Sequence, residues 1–159
     1  MTPVSILQTI AGWGPVVFVR DSKYGMPAVQ SVHLTGLTVF LTTTLALDLR
    51  LSGAGMKDLS LTLLARQLKP WSMASLTLLL ASGICIFLAT PGKYLGSHPF
   101  RIKMALLSMA ILFHFGVLRR IVRSEPDSRP RILNLIVAGV SLTLWFSVGW
   151  AGRAIAFVP

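Results

Sequence analysis

The chain has 159 residues, only 13% of them charged, and a mean hydropathy of +0.71, which excludes disorder, argues against a water-soluble globule and leaves room for one domain. Fifteen Lys and Arg against five Asp and Glu give a net charge of +10. These charges sit between long apolar stretches, so they point to membrane topology and anionic headgroups, not to nucleic acid.

The first 19 residues carry no charge. No basic stretch and no A-x-A pattern precedes Arg20, and Gly12, Gly14 and Pro15 interrupt the run, so neither a signal peptide nor a fifth span is expected. Residues 3–11 are predicted as a short interfacial helix, with Trp13 at the headgroup level.

Gaps between charges place the spans. Tyr24 to Leu47 gives 24 uncharged residues, Pro70 to Gly92 gives 23 and Ile132 to Gly152 gives 21, each enough to cross about 30 Å of hydrocarbon. Met104 to Leu118 gives only 15, but Pro99, Phe100 and Ile102 extend it if Arg101 and Lys103 snorkel or face the bundle interior. The spans are therefore predicted at about 27–52, 70–90, 98–122 and 130–157, as an all-α, up-down four-helix membrane bundle. Gly53 offers the first helix its cap, Pro70 and Pro99 stand as first-turn prolines, Pro91-Gly92 ends the second helix, and Ser124-Glu125-Pro126-Asp127 breaks the third from the fourth.

Six basic residues (Arg20, Lys23, Lys93, Arg101, Lys103, Arg153) fall on one side of this bundle and nine on the other. The larger set marks the cytoplasm, which places both termini outside. Cys85 is the one cysteine and lies in an apolar run, which excludes an internal disulfide and a CxxC metal knot.

Ionisable groups at membrane depth are costly and are functional candidates by default. His33 shares one helix face with Gly36 and Phe40. A histidine with glycine three residues on can ligate a porphyrin iron while the flat ring approaches the backbone. The plain alternative is a histidine bonded to a carbonyl or to a Ser or Thr of a neighbouring helix. Lys103 and His114 lie on one stripe of the third helix with Leu107 and Ala110. At 1.5 Å per residue, His33 and Lys103 sit roughly 8 and 6 Å below one boundary and His114 roughly 22 Å. His33 and His114 therefore do not share an iron. The partner of His33 is expected in His98 or Lys103, and His114 in a cluster with Asp48 and Arg119, or as ligand of a second heme. Asp48 is expected to form an ion pair with Arg50, Arg66, Arg119 or Arg120. Trp71, Trp150 and Tyr94 fit an aromatic belt, and Trp145 fits core packing. The stripe Asn134, Ala138, Ser141, Trp145, Gly149 is expected to face inward. No phosphate loop, HExxH, GxSxG or carboxylate pair is present, so no hydrolase or transferase signature is found.

Arg20-Asp21-Ser22, Pro27 followed by His33-Leu34-Thr35-Gly36-Leu37, Leu47-Asp48-Leu49-Arg50-Leu51, Lys69-Pro70-Trp71, Tyr94 with Pro99-Phe100-Arg101-Ile102-Lys103, Trp145, and Gly152-Arg153-Ala154-Ile155-Ala156-Phe157 stand together in the chain. In these blocks it resembles a family of small bacterial four-helix membrane proteins of unknown function, over most of its length after about residue 18. In layout that family is similar to the copper-resistance D-like and protoporphyrinogen-oxidase-like membrane proteins, in which a first-helix histidine and a later lysine hold heme b. The resemblance implicates His33 and Lys103 and leaves His114 without a counterpart. The expectation is a heme b protein that moves electrons in the bacterial cytoplasmic membrane, alone or as the anchor of a redox complex. His33 is the axial ligand, Gly36 gives room for the ring, and His98 or Lys103 is the distal partner. Lipid, other redox subunits or quinone are the expected partners, and nucleic acid is not. The alternative is a cofactor-free structural or assembly subunit.

Overall fold

The computed structural model describes residue 7, residues 9–123 and residues 130–155. Those residues are helical or in short connections, with no strand among them. Four of the helices are long and apolar enough to cross a membrane, and the protein is an all-α, multi-pass membrane bundle. In chain order the elements are α1 (Gly14–Asp21), α2 (Gly25–Ser52), α3 (Leu61–Ala89), α4 (Pro91–Leu95), α5 (His98–Phe113), a π turn (His114–Leu118), α6 (Arg119–Arg123) and α7 (Arg131–Ala154). The spans are α2, α3, α5 continued through the π turn into α6, and α7. The end that carries the 53–60 loop is called the lower end, and the opposite end, with α1 and α4, the upper end.

One expectation at the helix ends is corrected. The second span does not start at Pro70. Ser60 accepts a hydrogen bond from the Leu63 backbone N–H and caps a helix that begins at Leu61, with Pro70 inside it. Arg66 and Lys69 interrupt the uncharged gap but not the helix, which projects past the hydrocarbon by about two turns. Pro70 only removes the hydrogen bond to the Arg66 carbonyl, which a span tolerates. At the N-terminus, residues 7 and 9–11 are helical and the rest of the expected 3–11 helix lies outside the described residues. The expected break is present at Gly12 and Trp13, and a new helix begins at Gly14. Pro15 stands in the first turn of α1, where its missing N–H costs nothing. Along α1, Arg20 donates to Asp21 at 2.8 Å and holds that carboxyl below its ordinary range, an exposed pair that adds little stability. The polar break at 124–127 and the end of the fourth span at 157 also lie outside the described residues.

Other ends follow the sequence. Gly53, at φ 72°, takes the left-handed conformation that closes α2 and returns its N–H to Arg50 and Leu49. Ser97 caps α5 through the Phe100 N–H, with Pro99 in the first turn.

Packing within the bundle is uneven. α2 packs on α3, α5 on α7, and α2 on α7, whereas α3 and α5 do not form a packed pair along the span. Composition supplies the reason. α2 meets α3 through Gly36, whose missing Cβ leaves room for the Leu79 N and Ser75 O, each 3.3 Å from where that carbon would stand. α7 brings Ala138, Ser141 and Ala151 to its buried face. Small residues let helices approach in a membrane. Between α3 and α5 the side chains are bulky on both sides: Met73, Leu76 and Leu80 face Leu106, Leu107 and Ile111 around Phe40, Trp145 and Val148. This layer holds the middle of the bundle, with Trp145 set edge-on to Phe40 at 4.4 Å. A second cluster of Leu51, Leu61, Leu118, Val137 and Ala138 holds the lower end.

Gly36→Val is expected to destabilise the protein by about 1–3 kcal/mol, the range for overpacking, because both obstructing atoms are backbone. The shift in the unfolding midpoint of the detergent-solubilised protein measures it.

Candidate functional site

Because α3 and α5 stand apart, the bundle holds a cavity of about 640 Å³ above the central layer, within the size range of small-molecule and cofactor sites. Its walls are mainly Leu, Ile, Phe and Met side chains, and three ionisable residues interrupt them: His33 from α2, Lys103 from α5 and Arg153 from α7. The upper end is bridged by aromatic rings. Phe87 of α3 stacks on Phe100 of α5 at 5.5 Å, and Tyr94 of α4 packs against both. These rings hold the upper ends of α3 and α5 together where their backbones do not meet.

His33 is half-buried, and its ring is oriented. Nδ1 lies 2.9 Å from Ser82 Oγ on α3. The single Ser82 hydroxyl proton is directed to the Leu78 carbonyl at 2.7 Å, with Leu79 O at 3.2 Å, so Ser82 can only accept from the imidazole. This assigns the proton to Nδ1. His33 lines the cavity, and the Nδ1–H tautomer leaves a lone pair on Nε2, as in a metal-ligating histidine whose other nitrogen is tied to a neighbour. The hydrogen bond to a Ser of a neighbouring helix, expected as the plain alternative, is thus present, and it leaves the second nitrogen available.

Lys103 lies within electrostatic range of His33. The two head groups rest on glycines of the opposing helices. A Cβ at Gly83 would stand 3.3 Å from His33 Cε1, and one at Gly152 would stand 3.4 Å from Lys103 Nζ. Gly149 also lines the cavity, with open space where its side chain would be.

Three expected members of the site are placed elsewhere. Gly36 does not face the cavity; it is buried and filled by the α3 backbone, so it serves helix packing and gives a ring no room. His98 is the exposed first residue of α5 and does not line the cavity, which removes it as a partner of His33. His114 is buried below the central layer, with its ring 5.6 Å from Phe40 and 6.2 Å from Trp145, in the π turn, and it lines a different cavity. The depth difference derived by counting residues holds.

The expected Asp48 ion pair is absent among the described residues, where Arg20–Asp21 is the one salt bridge seen. The arginines near Asp48 are engaged by other groups: Arg50 donates to the Leu59 carbonyl, and Arg119 reaches Met73 Sδ at 3.5 Å and lies over the Phe115 ring. Asp48 is fully buried with Ser141 as its polar neighbour, yet neither carboxylate oxygen nor Ser141 Oγ has a hydrogen bond of proper geometry.

Gly83, Phe87 and Ser82 were not singled out from the sequence, whereas Gly149 was expected on the inward stripe of the fourth span. Ser82-Gly83 in a span otherwise rich in Leu was the available signal, since small and polar residues mark the inward face of a membrane helix. Among the described residues no cluster of three or more His, Cys, Asp or Glu could hold a bare metal ion. The donor set at this cavity is one imidazole and two cationic side chains, with open space at Gly149. It fits a macrocycle that brings its own equatorial ligands and carries carboxylates.

The family of unknown function DUF6644 matches residues 18–158, and the chain belongs to it. No curated protein and no solved structure matches the chain.

In ¹⁵N spectra of the selectively labelled protein, His33 is expected in the Nδ1–H tautomer. Ser82→Ala is expected to abolish that preference and to cost about 1 kcal/mol. An Nε2–H signal in the unsubstituted protein would contradict the assignment.

Proposed function

We propose that this member of the family binds heme b in the upper cavity and carries electrons in the bacterial cytoplasmic membrane, alone or as the membrane anchor of a larger redox complex, with the lower, more basic end toward the cytoplasm. The observation that carries the reading is His33, tied through Nδ1 to Ser82, in the wall of an apolar cavity whose remaining ionisable groups are Lys103 and Arg153. When bound, heme supplies one-electron redox chemistry.

The protein's own residues have separate tasks under this reading. His33 would supply the iron ligand, and Ser82 would set its tautomer and ring orientation. Gly83 and Gly152 make room for the His33 ring and the Lys103 head group, and Gly149 leaves open space for a flat group beside α7. Lys103 and Arg153 offset carboxylate charge, a task that also suits cations near a boundary of the membrane. Leu34, Leu37, Leu79, Leu80 and Leu107 exclude water, which strengthens those interactions. The resemblance in layout expected from the sequence implicates the same pair, His33 and Lys103.

A second reading, a cofactor-free structural or assembly subunit, is favoured by one observation: the Gly36 seam and the His33–Ser82 bond both join α2 to α3 and suffice as helix contacts. Protein purified from heme-replete cells is expected to show a Soret band that sharpens on reduction and disappears in His33→Ala. A colourless preparation, with His33→Asn folded and functional, would establish the second reading instead.

A further inference from the structure

The separation of α3 from α5 also opens a second cavity, of about 370 Å³, below the central layer. α3 contributes Arg66, Lys69 and Ser72 to its lining, and the π turn with α6 contributes His114 and Arg119. We propose that this lower cavity binds a phosphate group presented at the membrane surface.

Charge and hydrogen-bond balance both lead there. Three cations line one small cavity, and among the described residues no Asp or Glu does. Asp48 is buried beside Ser141, and Asp58 lies on the exposed 53–60 loop; neither belongs to the lining. Basic residues at the end of a span are ordinary topology signals and by themselves require no ligand. Topology does not account for the polar groups beneath them, however. Ser72 and His114 are 3% and 4% exposed, both line the cavity, and Ser72 Oγ and His114 Nδ1 have no hydrogen-bond partner. Buried polar atoms left unpaired cost free energy, and a native structure pairs nearly all of them. A group that carries negative charge and offers several acceptor oxygens would offset the cations in the cavity, and rotation of the Ser72 and His114 side chains, which line it, would bring their closed-off polar atoms to it.

Phosphate has that chemistry, since its oxygens accept from guanidinium, ammonium, hydroxyl and imidazole N–H donors at once. Arg119 is already placed: its guanidinium is held by Met73 Sδ and the Phe115 face, contacts that leave its charge uncompensated by any described carboxylate. Arg66 and Lys69 are exposed at the mouth, one turn apart on α3. The phosphate can come from an anionic phospholipid headgroup or from free phosphate, because the cavity joins apolar wall residues, Leu47, Met73 and Leu118, to an exposed basic rim.

The full chain in detergent is titrated separately with phosphatidylglycerol and with inorganic phosphate while its thermal midpoint is followed, with phosphatidylcholine and chloride at equal ionic strength as references. A saturable rise is expected with one phosphate source: phosphatidylglycerol if a headgroup is held, inorganic phosphate if the anion is free. Arg119→Gln is expected to weaken that response about tenfold or more. The double substitution of Arg66→Gln with Lys69→Gln, both exposed and therefore compatible with folding, is expected to weaken it at least as much. The proposal is overturned if neither source gives a saturable rise, or if the response of the double variant equals that of the unsubstituted protein.

Discussion

The arrangement of the whole bundle depends on one steric mismatch. α3 and α5 confront each other with Leu, Met and Ile on both sides, while every other neighbouring pair of spans has glycine, alanine or serine at its contact. In a bilayer, lipid competes equally for apolar side chains, so close approach comes from small residues and from polar groups that join helices. The Leu76, Ala110, Phe40, Trp145 layer fills the middle of the gap. Above and below it space remains, and the ionisable residues at membrane depth gather around that space. His33, Lys103 and Arg153 stand at the upper cavity, and His114 and Arg119 at the lower. A burial cost that would be prohibitive against lipid is reduced because each of these groups faces an interior cavity.

Placing polar groups in this way leaves part of their hydrogen-bonding capacity unused. Buried Thr44, Asp48, Ser72, His114, Asn134 and Ser141 each have a side-chain atom without a partner, and they come from all four spans. His33 is different. Its Nδ1 is committed to Ser82, and the orientation that follows is what distinguishes it from His114, which is held by ring contacts with Phe40, Phe115 and Trp145. A fixed tautomer has chemical content for a ligand; ring packing alone does not.

The fold was largely legible because charge placement marks membrane spans directly. The ends at Gly53 and Ser97 carry capping residues whose backbone geometry follows from their chemistry. The second span was read nine residues short, since Arg66 and Lys69 interrupt an uncharged run without interrupting a helix that extends beyond the hydrocarbon. The site was legible only in part. The depth of His33, Lys103 and His114 follows from rise per residue, and the pairing of His33 with Lys103 agrees with it. Gly36 was assigned to the wrong partner because a glycine on the face of a histidine predicts close approach without identifying what approaches; here it is the backbone of Leu79 and Ser75. Asp48 was given an arginine that proximity along the helix suggested. Arginine instead finds carbonyl, thioether and aromatic partners, which charge counting does not weigh.

The central claim is that His33 and Lys103 address one bound heme from two sides of the upper cavity. The reduction potential of the Lys103→Met protein, compared with the unsubstituted protein in the same bilayer, tests it most directly. With heme bound in this cavity, the Lys103 ammonium would stabilise the reduced form, so its removal is expected to lower the potential by tens of millivolts with heme retained. If Lys103 is itself a ligand, the optical spectrum changes as well. An unchanged potential and an unchanged spectrum would contradict the account and reduce Lys103 to an interfacial anchor.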